Sequence, residues 1–439
     1  MVLYILSQEI IRFGLDTAII QKKEVSNEEY SGAFFLIASL SIFFAILLYL
    51  SSTFISDFYD NQELVLVARM FSLMYIIDGL MHIQKIKLKK SLDFKRLNFY
   101  LIISKIIAGS IAIILALKGV GLLSLVYQNI IIAAIQMILI CSSVKWMPSR
   151  SYQFKNLDEL VNYSKYIFSA NFIYHMSQRL DSLLIAKYFD ATLLGLYDRG
   201  KNLSELSQRL PSNFIMKPLF TSLSALQDDK AGLHRLMKRI YTSISFVFIP
   251  FLLFLVFNAK QLIEFAYGNQ WVDAAQYFSL FSIMAIFYLI RVPANYLLLA
   301  MGKSKEVFRI EVSISILKII AIIILAAINL YWMIAALIIL RAIEATIYLY
   351  FCDNRLSFST REYLMIIAPY FSIGLILISV INYFFDYLFI IDNSFIYLAL
   401  SFTSFGCIYL LTNYLLKMDG LSFHWNLTKT YLLKTKSSA

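Results

Sequence analysis

The feature that most constrains this chain is a succession of apolar runs of about 20 residues or more, separated by short basic stretches. About 20 mainly apolar residues are what an α-helix needs to cross a bilayer. On that ruler the sequence predicts spans at 32–56, 64–86, 98–118, 120–142, 161–187, 193–220, 237–257, 273–299, 307–328, 331–352, 362–384 and 392–416. Residues 1–20 read as the end of one further helix. Runs such as Ile102–Leu117 do not alternate polar and apolar residues, as barrel strands do, so helices are preferred. The expected class is an all-α integral membrane protein with about twelve complete spans. An apolar fraction of 60% and only 15% charged residues exclude an ordinary soluble domain.

The basic residues report orientation. Lys87, Lys89, Lys90, Lys95 and Arg96 fall in one loop, and Lys230, Arg235, Lys238 and Arg239 in another of the same set. Lys303, Lys305 and Arg309 follow, then Arg355 and Arg361, then Lys417, Lys429, Lys434 and Lys436. The alternate loops hold little beyond Lys118, Lys187 and Lys260. By the positive-inside rule the rich set and the C-terminus are cytoplasmic. The net charge of +11 therefore reads as a topology signal and not as a nucleic-acid surface. Cys141, Cys352 and Cys407 are scattered and suggest neither a disulfide framework nor a metal site. The apolar start Met1–Leu6 is too short for a signal-peptide core.

An internal repeat is visible. Tyr-x-Asn-Gln recurs at Tyr59 and Tyr267, Phe-Ser-Leu at Phe71 and Phe278, and Lys-Ile-Ile-Ala at Lys105 and Lys318, at a period of about 210 residues. Six spans separate the copies, so both point the same way across the membrane, as in two-lobed transporters. The expected organisation is an N-terminal lobe (1–142), a cytoplasmic linker (143–160), a C-terminal lobe (161–352), a final helix pair (353–416) and a cytoplasmic tail (417–439). The second copy has two helices before Arg235, whereas the first has only residues 1–20 before Lys22. About forty residues, one helix and part of another, are therefore expected upstream of residue 1, and a chain lacking them is expected to be defective.

Several segments carry a family resemblance. They are Gly-Leu-Asp-Thr-Ala-Ile-Ile-Gln at 14–21, Phe58-Tyr59, and Lys90-Ser-Leu-Asp-Phe94-Lys95. The most specific runs from Leu180-Asp181 through Leu194-Gly195-Leu196-Tyr197 to Pro211. It continues with Ser224, Gln227-Asp228-Asp229 and Tyr267-Gly268-Asn269-Gln270-Trp271. Together these resemble the Wzx-type polysaccharide exporters, in particular the WzxC-like branch, of the MOP (multidrug/oligosaccharidyl-lipid/polysaccharide) superfamily. Lys90 stands where that family usually has Arg, and a Gly near Ala186 and a Pro near Thr221 are replaced. The resemblance implies fourteen helices, in two six-helix lobes and a final pair. It implies flipping of an undecaprenyl-pyrophosphate-linked oligosaccharide across the bacterial inner membrane for lipopolysaccharide, capsule or exopolysaccharide synthesis. Membrane lipids, H+ or Na+ as coupling ion, and a polysaccharide polymerase with its chain-length regulator are the partners it implies. No cofactor, metal or nucleic acid is expected.

Charges inside spans point to function by default, because they are costly there. Arg179, Asp181, Arg199, Lys201, Arg209, Arg291 and Lys318 are the candidate residues of a cationic cavity for pyrophosphate and acidic sugars. Arg209, Arg291 and Arg179 are the expected phosphate contacts, since a guanidinium grips phosphate oxygens in bidentate fashion. Asp181 and Glu205 are the obvious neutralising acids. Arg341 and Glu344, three apart, are expected to pair on one helix face, and Glu311 to snorkel from a helix end. Bulk structural pairing is the competing account for each. Two other classes compete. A multidrug or cation antiporter of the same superfamily needs buried carboxylates in excess, and here intramembrane bases outnumber acids. A membrane-embedded polymerase or glycosyltransferase needs a catalytic constellation, and no acid pair, nucleophile triad or metal-ligand cluster is placed for chemistry; the chain is not expected to be an enzyme.

Overall fold

The computed structural model describes residues 2–22, 24–149, 158–211, 222–223, 225–226, 229–356, 360–388 and 393–422. Among them there is no strand. The chain runs α1 (Val2–Arg12), α2 (Leu15–Gln21), α3 (Asn27–Leu50), α4 (Ser52–Phe58), α5 (Glu63–Lys90), α6 (Phe94–Leu117) and α7 (Leu123–Val144). It continues with α8 (Asp158–Tyr188), α9 (Ala191–Pro211), α10 (Lys230–Phe257), α11 (Ala259–Tyr267) and a 3-10 turn (Asn269–Ala274). The last elements are α12 (Ala275–Ala300), α13 (Ser304–Ala326), α14 (Leu330–Leu356), α15 (Thr360–Leu388) and α16 (Ser394–Leu415). The packing divides into residues 1–179, here unit 1, and residues 180–439, unit 2; the division falls inside α8.

Local chemistry sets the helix ends. Ser26 and Glu29 form a capping box at the start of α3, satisfying two orphan amides reciprocally. Asp93, Asp229 and Asn393 cap α6, α10 and α16 with side-chain acceptors. Phe13 and Gly14 both have positive φ, 46° and 70°, and this breaks α1 from α2.

Among the described residues, nine helices are long and apolar enough to cross a membrane: α3, α5, α6, α7, α10, α12, α14, α15 and α16. Of the other expected spans, 161–187 folds as helix within α8, the part 193–211 of the span 193–220 within α9, and the part 307–326 of the span 307–328 within α13; residues 212–220 lie outside the described residues. They carry too many charges to register by composition alone, and those charges include most of the candidate site. Outward faces are richly apolar: Phe43, Leu50, Ile106, Ile113, Ile324 and Tyr383 are more than half exposed. A soluble monomer does not leave such continuous apolar surface in water. The membrane reading and the all-helical class therefore hold together.

The sequence repeat has a local counterpart. In unit 1, α3 is followed by short α4, then Tyr59, Asn61-Gln62 and long α5. In unit 2, α10 is followed by short α11 ending at Tyr267, then Asn269-Gln270 and long α12. Each Asn-Gln thus marks the start of a long helix after a short one.

Proline chemistry positions the end of the chain. Pro250 inside α10 cannot donate to the carbonyl of Phe246, four residues back. The Tyr409 hydroxyl of α16 donates to that carbonyl at 3.0 Å. Gly374 of α15 lets its helix approach Pro250, and Gly420 N–H donates to the Tyr370 hydroxyl at 2.9 Å. Arg150, the linker residues 151–157, Pro218, Gln227-Asp228 and the tail from residue 423 lie outside the described residues.

Candidate functional site

The charged side chains of unit 2 fall into two tiers. The first is built by the end of α8 and by α9. Asp181, almost wholly buried, accepts from the Tyr197 hydroxyl at 2.5 Å and from Lys201 Nζ at 2.6 Å. Tyr197 and Lys201 are four apart, so α9 presents both from one face. Beside them, Ser182 donates to Asp198 at 3.0 Å. Gly200 explains how closely α9 docks. A Cβ there would lie 2.7 Å from the Phe278 backbone nitrogen and 2.9 Å from the Ala274 carbonyl, both fixed backbone atoms. Arg199 points elsewhere: it is exposed and lies over the rings of Tyr267 and Trp271, at 5.3 and 5.0 Å.

The second tier gathers three helices around one carboxylate. Glu344 of α14 is fully buried, and Arg291 of α12, Lys318 of α13 and Arg341 of α14 lie 3.0, 2.9 and 3.0 Å from it. Arg291 also pairs with Glu311 of α13. Asn295 and Tyr348 both donate to Glu311, at 3.3 and 3.0 Å. Rings of Tyr288 and Tyr348 flank the Arg291 guanidinium at 5.6 and 5.3 Å. The periodicity is helical throughout: residues 288, 291 and 295 share one face of α12, 311 and 318 one face of α13, and 341, 344 and 348 one face of α14. Three bases meet two acids, so the tier carries formal charge +1. Nε of Arg291 and Nε of Arg341 are buried and have no acceptor. A buried donor without a partner is costly, so these two nitrogens are unmet donors within the tier.

The tiers are distinct. Phe278, which meets α9 at the first, precedes Arg291 by about 20 Å along α12 at 1.5 Å per residue. The seven candidates from the sequence therefore do not all converge. Arg291 and Lys318 share the second tier; Asp181 and Lys201 pair in the first; Arg199 sits beside it on an aromatic platform. Arg179 belongs to unit 1, where it is half-buried. The side chain of Arg209 lies outside the described residues. Glu344, Glu311 and Arg341 were missing from the candidate set. Glu344 and Arg341 do pair as their spacing indicates, but Glu344 is also the hub for two other helices, and Glu311 turns inward to Arg291.

Unit 1 has its own polar row. Asp78, His82, Lys85 and Lys89 run down one face of α5. His82 lies 2.5 Å from Asp16, Lys89 and Lys85 lie 3.8 Å from Asp16 and Asp78 respectively, and Tyr4 donates to Asp78. Among the described residues no group of three metal-ligating side chains occurs.

The profile of a family described as "Polysaccharide biosynthesis protein" matches residues 1–276. This chain belongs to that family. Among curated proteins it is 20% identical over 306 residues to the teichuronic acid biosynthesis protein TuaB of Bacillus subtilis, covering 69% of this chain and 63% of TuaB. It is 21% identical over 337 residues to the lipopolysaccharide biosynthesis protein WzxC of Escherichia coli K12, covering 74% and 66%. The chain thus spans a little under two thirds of the length of these relatives, and the resemblance to the WzxC-like exporters is borne out. In fold it is similar to the lipid II flippase MurJ, in an inward closed conformation, with a TM-score of 0.74 at 16% identity over 95% of this chain and 90% of that one. It is also similar to a MOP superfamily transporter of Pyrococcus furiosus, with a TM-score of 0.51 at 11% identity over 81% and 85%. The chain has the MOP fold.

Proposed function

We propose that this protein translocates an undecaprenyl-pyrophosphate-linked oligosaccharide across the bacterial inner membrane, for assembly of a surface polysaccharide. Family membership and the names of its relatives support a role in polysaccharide synthesis, and the MOP fold supports transport rather than catalysis. The observation that carries the reading is the second tier: a net-positive cluster inside a membrane fold, with two guanidinium Nε donors unmatched. One arginine at mid-span costs about 2.5–3.5 kcal/mol by insertion scales. A pyrophosphate is a ligand that offsets such a cost and matches the donors. Neither a glycan nor a pyrophosphate crosses about 30 Å of hydrocarbon unaided. The basic tier favours this reading over a cation antiporter, which would want acids in excess.

In this reading Arg291 and Arg341 hold the phosphate and Lys318 adds charge. Arg199, on its aromatic platform, together with Arg179 and Arg209, contacts the substrate along its path. Asp181 holds Lys201 in place. The lobes are 1–142 and 161–352, joined by 143–160; the pair 353–416 and the cytoplasmic tail 417–439 complete the chain. Loops 87–97, 224–236 and 353–361 are cytoplasmic, and H+ or Na+ drives the cycle. Polymerase and chain-length regulator act on the product.

The test is export of surface polysaccharide by a flippase-deficient strain carrying the gene. Arg291→Ala is expected to abolish export while the protein remains abundant in the membrane, and Arg291→Lys to restore part of it. Normal export with Arg291→Ala and Arg341→Ala together overturns the reading.

A further inference from the structure

A chain of cavities runs along the end of unit 2, lined by none of the residues of the two charged tiers. It begins in a hollow of about 240 Å³ lined by Arg235, Lys238, Arg239, Thr242 and Asp419. Lys238, Thr242 and Asp419 are shared with a second hollow of about 340 Å³, which reaches Tyr370, Lys417 and Met418. Lys417 and Met418 are shared in turn with an apolar furrow of about 640 Å³ along Leu410, Leu411, Tyr414 and Leu421. Through Leu410 that furrow continues into one of about 480 Å³ floored by Phe246, Phe251, Phe402 and Phe405. A basic mouth therefore opens into a continuous apolar channel on one face of the protein.

The mouth is built for an anion. Arg235, Lys238 and Arg239 stand at i, i+3 and i+4 on α10, so one helix face presents three cations together. All three are exposed. Lys417 adds a fourth from the turn after α16. The acids are fewer. Asp419 lies in the mouth, Glu362 at its edge is held by His234 at 3.4 Å, and Asp229 touches Arg235 only at 3.9 Å. Four cations against the two lining acids leave the mouth positive. The basic-loop asymmetry puts this end on the cytoplasmic side, where the leaflet carries anionic lipid.

The furrow sets the length of the tail. From Leu415 back to Phe402, α16 rises about 20 Å. Half of a hydrocarbon core about 30 Å thick is about 15 Å. The apolar furrow thus spans one leaflet, reaches about 5 Å past the midplane and ends there. That fits an acyl chain of a lipid resident in one leaflet better than a much longer polyprenyl chain bound for the other side.

We propose that this groove holds an anionic glycerophospholipid of the cytoplasmic leaflet. Its phosphate sits among Arg235, Lys238 and Arg239, and one acyl chain lies along α16. The lipid fills the seam between α10, α15 and α16 and fixes the last helix pair to the unit it serves. The site is separate from the proposed substrate path, so its test does not depend on transport.

The full chain, stripped of lipid in detergent, is titrated with phosphatidylglycerol, with phosphatidylcholine, and with undecaprenyl phosphate in phosphatidylcholine; bound lipid is read by native mass spectrometry. Phosphatidylglycerol is expected to bind and phosphatidylcholine to bind at least tenfold more weakly. The triple substitution Arg235→Gln, Lys238→Gln, Arg239→Gln is expected to weaken phosphatidylglycerol at least tenfold. Asp419→Asn, which removes an acid from the mouth, is expected to tighten it severalfold, a direction misfolding does not produce. Equal binding of the two phospholipids, no change in either variant, or displacement of phosphatidylglycerol by an equal fraction of undecaprenyl phosphate overturns the proposal.

Discussion

In unit 1 the charges of α5 run in a row, Lys85 beside Asp78 on the same helix and His82 and Lys89 on Asp16 of α2; in unit 2 three bases from three helices collapse onto a single carboxylate. The row is partly open to its surroundings: the side chains of Asp16 and Lys89 are 23% and 39% exposed. The hub is closed, with Glu344 at 0% and its three bases at 10% or less. The repeated lysine shows the same contrast. Lys105 in α6 is exposed, whereas its repeat partner Lys318 is buried against Glu344. Similar sequence elements thus hold charge in two ways. A row can lose a member and let water or a neighbour compensate. A hub cannot, because Lys318 and Arg341 depend on one acid and Arg291 on that acid and Glu311.

The largest expected effect breaks the hub. Glu344→Gln leaves three buried cations around a neutral group and should cost about 3–5 kcal/mol. Asp16→Asn should cost much less, since the amide can still bond the His82 ring and Lys89 can reach solvent. Thermal unfolding of the purified proteins compares them, and equal losses would erase the distinction between row and hub. Next is the helix contact that holds the first tier. Gly200→Ala forces a methyl group into fixed backbone of α12 and should cost about 1–3 kcal/mol. Gly109→Ala in unit 1 meets only Gln128 Nε2 at 3.7 Å and should be neutral or slightly stabilising. The same unfolding assay reads both; a tolerated Gly200→Ala means that α9 can back away from α12. The smallest effect sharpens the repeat. Lys318→Met leaves Glu344 with two arginines and should cost about 1–2 kcal/mol, whereas Lys105→Met should stay within about 0.5 kcal/mol. If Lys105→Met is the more damaging, exposure does not distinguish the two copies.

The class of fold was legible because hydropathy is local: each span announces itself within about 20 residues. The Arg341–Glu344 pair was legible for the same reason, as i, i+3 spacing needs no tertiary knowledge. The hub was not. Arg291, Lys318 and Glu344 lie on three helices, and only packing brings them together. Glu311 reads as a snorkelling end residue until α12 is laid beside α13. Arg199 stands out in the sequence as a charge within an expected span, but its seat depends on Tyr267 and Trp271, about seventy residues away. Those two are four apart, a hint of a shared face that only the bend after α11 makes meaningful. The twelve expected spans divide along the same line: the nine carried by apolarity register, and the three richer in charged and polar residues do not.

The Tyr409 hydroxyl, by occupying the carbonyl that Pro250 leaves free, has a mechanical consequence. At the other end of the same seam, Asn382 donates to the carbonyl of Phe257 at 3.2 Å. A lever clamped at both ends cannot slide along its mount. Any rocking of α10 therefore sweeps α15 and α16 through the surrounding lipid as a paddle with the same angle and the same timing. The last two helices are thus tied to α10 and travel with it.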